Sequence, residues 1–201
     1  MTKFNIHKLP LLPGFADTVL DSQYTFRQVL DAMSHPARLI PLKIKMEVPF
    51  PLYHTTAAIC LTLLDYETPL WMDLKEKEEV ADWLRFHCAC PIIASPASAR
   101  FGLIFNAKDI PSLSQFPAGE DEFPEQSATL IIQVKGFTPE IGRSFRGPGI
   151  KTAEHLTIRG LSDEFWKFWE FNHHRYPLGV DVLFTSESTI VGLPRTIEVK
   201  E

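Results

Sequence analysis

Ala128-Thr129-Leu130-Ile131-Ile132-Gln133-Val134 is the stretch on which the fold turns. Aliphatic and β-branched side chains dominate it, and the preceding Ala118–Gln126, with Glu120, Asp121, Glu122 and Glu125, reads as an acidic surface loop, so the seven residues are predicted to form a strand. Upstream, Phe101–Phe105, Pro91–Ala94 and Pro69–Met72 read as further strands. Between and before them the pattern turns helical. Lys75–Cys88 is amphipathic, with Val80, Trp83, Leu84 and His87 on one face and a solvated charge run, Lys75–Glu79, in its first turn. His54-Thr55-Thr56 starts a helix whose continuation, Ala57–Leu64, has little charge on any face and should be deeply buried. Asp21 is expected to cap a first helix with Phe26, Val29, Leu30 and Met33 at i, i+3, i+4 and i+7, ended by His35-Pro36 and followed by a strand over Arg38–Ile44.

Downstream, the pattern gives a strand at His155–Leu161, a helix capped by Ser162 or Asp163, and a hairpin from Val180–Phe184 and Thr189–Val191. Alternating helices and strands followed by adjacent strands predict one α/β domain over residues 1–201, a mixed sheet with flanking helices. The helix Asp163–Phe171 stands apart. Phe165, Trp166, Phe168, Trp169 and Phe171 span about 220° of its circumference, more than one core face absorbs, which predicts an interface between two copies; a wholly internal helix is the alternative.

Composition limits the functions open to the chain. Its 201 residues are 45% hydrophobic, enough for a core without staples, and 20 basic against 25 acidic residues give −5, which argues against a generic nucleic-acid binder. Apolar runs such as Ala57–Leu64 are too short to cross a membrane and no signal-peptide pattern opens the chain, so the expected location is cytoplasmic. Cys60, Cys88 and Cys90 are poor material for a disulfide framework, and His87-Cys88-Ala89-Cys90 lacks the second ligand pair of a structural zinc site. His173 and His174 are consecutive and diverge by about 100° on a helix, so no metal is expected there either.

Two late motifs place glycine turns beside cations: Arg143-Ser144-Phe145-Arg146-Gly147-Pro148-Gly149-Ile150-Lys151 and Leu193-Pro194-Arg195-Thr196. Such turns let backbone amides approach an anion while the cations attract it; a strand-to-strand turn with solvated charges is the plainer reading. Arg195 is the strongest anion-contact residue, its guanidinium matching phosphate bidentately, with a structural ion pair as the alternative. Asp181 either closes a turn or faces a ligand. His87 reads as a core histidine satisfied by one hydrogen bond, while Arg85, two residues earlier, points about 200° away. No nucleophile elbow, dinucleotide fingerprint or phosphate-binding P-loop is present, nor a lysine in a recognisable Schiff-base motif, so no catalytic set and no cofactor are expected.

The order of motifs resembles a known family. Phe26-Arg27, Ala32-Met33-Ser34-His35-Pro36, Leu61-Thr62-Leu63-Leu64-Asp65, Thr68-Pro69-Leu70-Trp71, Leu84-Arg85-Phe86-His87, Gly147-Pro148-Gly149-Ile150, Tyr176-Pro177-Leu178-Gly179-Val180-Asp181 and Leu193-Pro194-Arg195-Thr196 follow one another as in the PhnH family, one of the subunits of the bacterial carbon-phosphorus lyase core complex. Ala37 departs from it, standing where the family tends to have Gly, and Arg146 is not expected to be a fixed family feature. The resemblance implies a fold similar to that of pyridoxal-phosphate-dependent transferases without the cofactor. It also implies a part in phosphonate catabolism, in a complex that replaces the adenine of ATP with methylphosphonate. Radical cleavage belongs to a separate iron-sulfur subunit, and this chain lacks the clustered cysteines such a centre needs. The expected partners are the other core subunits, a second copy of the chain and a phosphate-bearing ligand; the expected contact residues are Arg195, Gly147, Gly149, Asp181 and Arg146.

Overall fold

Within the run from Ala128 to Val134, Thr129–Gln133 form a strand with neighbours on both sides and both faces covered, which is why the run is almost wholly apolar. The computed structural model describes residues 11–73 and 78–201. In chain order its elements are α1 (Thr18–Ser34), β1 (Ile40–Pro41), α2 (His54–Leu63), β2 (Leu70–Met72), α3 (Glu78–Cys88), β3 (Ile92–Ile93), β4 (Phe101–Ile104), β5 (Thr129–Gln133), β6 (Gly136–Arg146), β7 (Glu154–Arg159), α4 (Asp163–His174), β8 (Asp181–Thr185), β9 (Thr189–Leu193) and β10 (Glu198–Lys200). The first part of the expected Lys75–Glu79 charge run, through Lys77, lies outside the described residues.

Among the described residues the strands form two sheets: a mixed one in the order β1-β9-β8-β5-β4-β2-β3, and a smaller antiparallel one, β10-β6-β7. The middle of the large sheet is parallel, from β8 through β5, β4 and β2 to β3, while β9 returns antiparallel beside β8 and β1 pairs antiparallel with β9. Side chains alternate across it. Leu130, Ile132, Val182 and Phe184 enter one core with Phe165 and Trp169 of α4; Ile131 and Leu183 enter the other with α1, α2 and α3. The mixed sheet with flanking helices, the hairpin β8–β9 and the buried α2 therefore match expectation. The strand expected over Arg38–Ile44 shrinks to two residues, because only Ile40 and Pro41 find partners in β9.

The small sheet is where pattern reading fell short. Arg143–Arg146, read as part of a glycine-and-cation turn, is the end of the eleven-residue strand β6, which pairs with β7 on one side and β10 on the other. Both sheets contribute to the packing of α4. On one side Phe165 meets Phe184 of β8, and on the other Trp166 meets Phe145 of β6 while Trp169 donates its indole N–H to the carbonyl of Ile197 at 3.0 Å. Two covered faces absorb an arc that one cannot. Phe165 and Trp169 are fully buried and Trp166 and Phe168 partly so, leaving Phe171 as the exposed aromatic of the five.

Helix α1 also differs from its pattern. Asp17, not Asp21, is the cap: its Oδ1 accepts from Val19 N at 3.1 Å and Leu20 N at 3.0 Å, while Asp21 returns Oδ2 to Asp17 N at 3.1 Å, a reciprocal box. The buried face carries Thr25, Val29 and Ala32, and Phe26 and Leu30 are 46% and 50% exposed. Close approach selects the small residues. A Cβ on Gly192 of β9 would collide with the backbone at Ala32 and Met33, so the helix lies on the strand through Ala32 and turns its bulkier side chains outward.

Two stability measurements check this geometry. Val29→Ala should cost about 2 kcal/mol, counting two buried carbons and the gap they leave, whereas Leu30→Ala should cost under about 1 kcal/mol, both read as urea midpoints at constant slope. Ala37, at φ 63 in the left-handed region where a Cβ is strained, is buried. Ala37→Gly should leave stability unchanged or raise it by up to about 1 kcal/mol, since relief of about 1–2 is offset by about 0.8 for the lost methyl. A loss above about 1 kcal/mol would remove the strain assigned to Ala37.

Candidate functional site at the amino edge of the sheet

Asp181 opens β8 and Arg195 follows β9, so the hairpin places them beside each other at the amino edge of the parallel strands. Their contact is bidentate. Nε donates to Asp181 Oδ1 at 3.1 Å and Nη2 to Oδ2, while the Arg195 backbone N–H reaches Oδ1 at 2.8 Å. Nη2 also donates to Ser127 Oγ, and Nη1 to the carbonyls of Pro124 at 3.0 Å and Pro177 at 3.5 Å. A guanidinium has five N–H donors, and each of these has an acceptor within the chain. The side chains of Arg195 and Asp181 are 13% and 19% exposed. The sequence left an anion contact and an ion pair open at Arg195; the geometry is that of the ion pair.

Around this clasp is an open depression of about 300 Å³, with Glu125, Tyr176, Pro177 and Pro194 in its wall. Asn172, buried near the end of α4, shapes it. Its Nδ2 donates to Val180 O at 3.0 Å and its Oδ1 accepts from Val180 N at 2.8 Å, fastening the Tyr176–Gly179 turn; Gly179, at φ 126, leaves no room for a Cβ beside that amide. His173 Nδ1 donates to the Arg195 carbonyl at 3.0 Å. The loop supplying Pro124 and Ser127 also carries exposed Glu120, Asp121, Glu122 and Glu125, so the rim adds negative charge to a neutral pair.

Gly147 and Gly149 approach this region as packing elements. A Cβ on Gly147, φ 145, would press on Ile197 Cδ1 at 2.8 Å and Thr196 O at 3.0 Å; one on Gly149, φ 85, would strike Ser34 O and Pro36 Cδ. Three stretches distant in sequence, Ser34–Pro36, Gly147–Gly149 and Thr196–Ile197, meet there. Arg146 is exposed at the end of β6, opposite Glu198 of β10. The Glu198 carboxyl is held below its ordinary value chiefly by a hydrogen bond from Lys200, with smaller help from cations that include Arg146. Thus Asp181 and Arg195 are in contact, Gly147 touches the segment after Arg195, Gly149 faces α1, and Arg146 belongs to the rim of the small sheet.

Ser127 and Asn172 escaped the sequence reading. A serine ending an acidic loop carries no signal, but an asparagine late in a helix is a weak one, since its amide competes for backbone partners. At the opposite, carboxyl edge, where open α/β sheets commonly bind ligands, Asp73 follows β2 and accepts from Phe105 N and Asn106 N at 3.0 to 3.1 Å. Burial raises its carboxyl above the ordinary value despite those bonds. Gln133, at the end of β5, accepts from Tyr53 N at 2.7 Å and donates to Pro51 O at 2.9 Å. On α3, His87 donates Nε2 to Leu12 O at 3.0 Å and packs on Trp83, the core histidine expected, while Arg85 pairs outward with Asp82 at 3.3 Å.

Asn172→Ala should destabilise by about 2–4 kcal/mol, because two backbone groups of Val180 lose their partners in a buried place. Arg195 should then become reactive toward phenylglyoxal, whereas in the wild-type protein this one arginine should stay protected. Unchanged stability together with unchanged Arg195 protection would show that Asn172 does not hold the turn.

Comparison with known proteins covers this whole region. Residues 13–200 match the family described as bacterial phosphonate metabolism protein (PhnH). The chain is 32% identical over 191 residues to the alpha-D-ribose 1-methylphosphonate 5-triphosphate synthase subunit PhnH of Rhizobium meliloti (strain 1021), covering 93% of this chain and 94% of that one. It is 30% identical over 179 residues to the putative C-P lyase subunit protein HtxG of Stutzerimonas stutzeri, covering 88% and 85%. With both halves of the clasp inside a match that runs from the segment before α1 into β10, the chain belongs to the bacterial PhnH phosphonate metabolism family.

Proposed function

We propose that this protein is a subunit of a carbon-phosphorus lyase complex in phosphonate catabolism, supporting the transfer of methylphosphonate to the ribose of ATP with loss of adenine. The observation that carries this reading is the end-to-end likeness to a relative named as a subunit of that synthase. The chemistry belongs to the complex: no nucleophile, base and oxyanion set is legible in the sequence, so the isolated chain serves assembly or substrate contact. Its partners are the other core subunits and a second copy of the chain, and its place is the cytoplasm. Its likeness to pyridoxal-phosphate-dependent transferases is one of fold, with no pyridoxal phosphate bound, since no lysine stands in a Schiff-base motif.

Arg195, Asp181, Gly147, Gly149 and Arg146 are proposed to shape the face through which this subunit meets the substrate-bearing complex. Arg195 acts there mainly through Asp181: its donors are committed within the chain, and direct phosphate contact would require Asp181 to give way. The acidic rim favours contact with a partner surface over capture of a free anion.

A strain lacking the gene should fail to grow on methylphosphonate as sole phosphorus source, and purified chain alone should not turn over ATP with methylphosphonate. Robust turnover by the chain alone would overturn the subunit reading. Arg195→Ala separates the two roles of the clasp. If Arg195 shapes the contact face, affinity pull-down should lose the other subunits. If Arg195 holds phosphate, the complex should assemble normally and lose about 1.5–3 kcal/mol of ligand binding, as for a hydrogen bond to a charged group.

A further inference from the structure

Helix α1 takes no part in the clasp and carries apolar surface that the fold leaves uncovered. Of the twelve large hydrophobic side chains exposed among the described residues, four lie on it: Val19 and Leu20 at 62%, Phe26 at 46% and Leu30 at 50%. Helices α3 and α4 carry one each, Phe86 and Phe171. The outer residues of α1 follow a period of their own. Val19, Gln23, Phe26, Leu30 and Met33 come at steps of four, three, four and three, and at about 100° per residue they fall within about 80° of the circumference. Thr25, Val29 and Ala32, the buried stripe, lie about a third of a turn away.

Steps of four and three in alternation have a mean period of about 3.5 residues, the period at which one helix keeps a seam against another. A helix that only covers a core shows a broader stripe, turned inward. Here the narrow stripe is turned outward, with Met33 at its inner margin partly packed on the core and Val19, Gln23, Phe26 and Leu30 exposed. Charge is divided along the same helix. Its start carries Asp17 and Asp21 and no cation, its second half carries exposed Arg27, and exposed His35 and Arg38 follow its end, with Asp31 paired to His35 at 2.8 Å.

We propose that this seam pairs with the same seam of a second copy of the chain, the two α1 helices lying antiparallel across a two-fold axis; the inference rests on the second copy named under the proposed function and gives it a surface. Size fits that occupant. In the register that sets Val19 of one copy against Leu30 of the other, Gln23 meets Phe26, so each layer joins a smaller side chain to a larger one and the layers repeat about the axis. Gln23 is the polar step in the seam, and it holds the register because a slip would set its amide against Val19 or Leu30. Charge fits as well. Antiparallel helices bring the acidic start of each copy toward the cationic half of the other and oppose the two helix dipoles, whereas a parallel pair would set Asp17 and Asp21 against their own counterparts and Arg27 against Arg27. Arg27 then lies beside Leu20 of the other copy, which its aliphatic stem covers.

The test is the molar mass of the full chain by light scattering at micromolar concentration. Wild type should have the mass of two copies; Phe26→Glu and Leu30→Glu, both at exposed positions, should have the mass of one with an unchanged circular dichroism spectrum. The small stability cost of Leu30→Ala holds for the separate chain, at concentrations where the dimer is dissociated. Orientation is read from cross-linking. Val19→Cys and Leu30→Cys chains, mixed, left to exchange and mildly oxidised, should give a disulfide-linked dimer on a non-reducing gel. Neither should do so by itself, because in the antiparallel register each cysteine lies about 16 Å along the axis from its own counterpart, and the native cysteines are buried. A wild-type monomer, a Phe26→Glu dimer, or cross-linking of either cysteine chain with itself would each overturn the proposal. Affinity pull-down keeps it apart from the subunit reading: a wild-type dimer that captures no other core subunit would sink that reading and leave the seam standing, while a wild-type monomer that loses the other subunits through Phe26→Glu would assign the seam to one of them instead.

Discussion

The organisation of the amino edge depends on a largely enclosed arginine with no donor to spare. Arg195 joins the start of β8, the end of the β9 segment, the acidic loop at Pro124–Ser127 and the turn at Pro177. Enclosing an ion pair costs desolvation that the pair recovers only with close geometry and full hydrogen bonding, and removing one partner leaves a charge stranded at a cost of about 3–5 kcal/mol. Such an arrangement contributes less to net stability than to fixing which segments lie together. Here it fixes a surface. The depression between Tyr176, Pro177 and Pro194 exists because the turn and the loop are both held by one guanidinium.

That surface lies at an unexpected end of the molecule. Parallel strands with crossover helices gather loops and helix N-termini at their carboxyl edge, the ordinary place for a phosphate. In this chain the carboxyl edge is bound to its own backbone through Asp73 and Gln133, and the family motifs around Tyr176–Asp181 and Leu193–Thr196 converge on the amino edge. The large sheet holds the Asp181–Arg195 clasp at that amino edge.

The small sheet and α4 show how packing changes the meaning of a pattern. Five aromatics on a helix of about three turns span more than one core face, and a second sheet formed by β6, β7 and β10 covers part of that arc within the same chain, leaving Phe171 exposed. Helix α1 shows the reverse. Its periodic apolar residues look like a core stripe, but the backbone of β9 comes so near at Gly192 that small residues win the inner face and Phe26 and Leu30 stay at the surface.

Sequence alone determined what depends on neighbours along the chain. The β-branched run Thr129–Val134, the uncharged α2 and the β8–β9 hairpin are local signals, strong because strand and helix periodicity are set by burial of one face or both. The order of short motifs was enough to indicate the family, and the spacing of Arg85 and His87 was enough to separate a core histidine from an exposed cation. Tertiary structure decided what depends on residues far apart. That Arg195 spends its guanidinium on Asp181, Ser127, Pro124 and Pro177, that Gly149 yields to Ser34, and that Asn172 fastens Val180 are pairings across 8 to about 115 positions. A composition or a period carries no information about such pairings, because hydrogen bonds and close approaches are satisfied by whichever group the completed fold brings within about 3 Å.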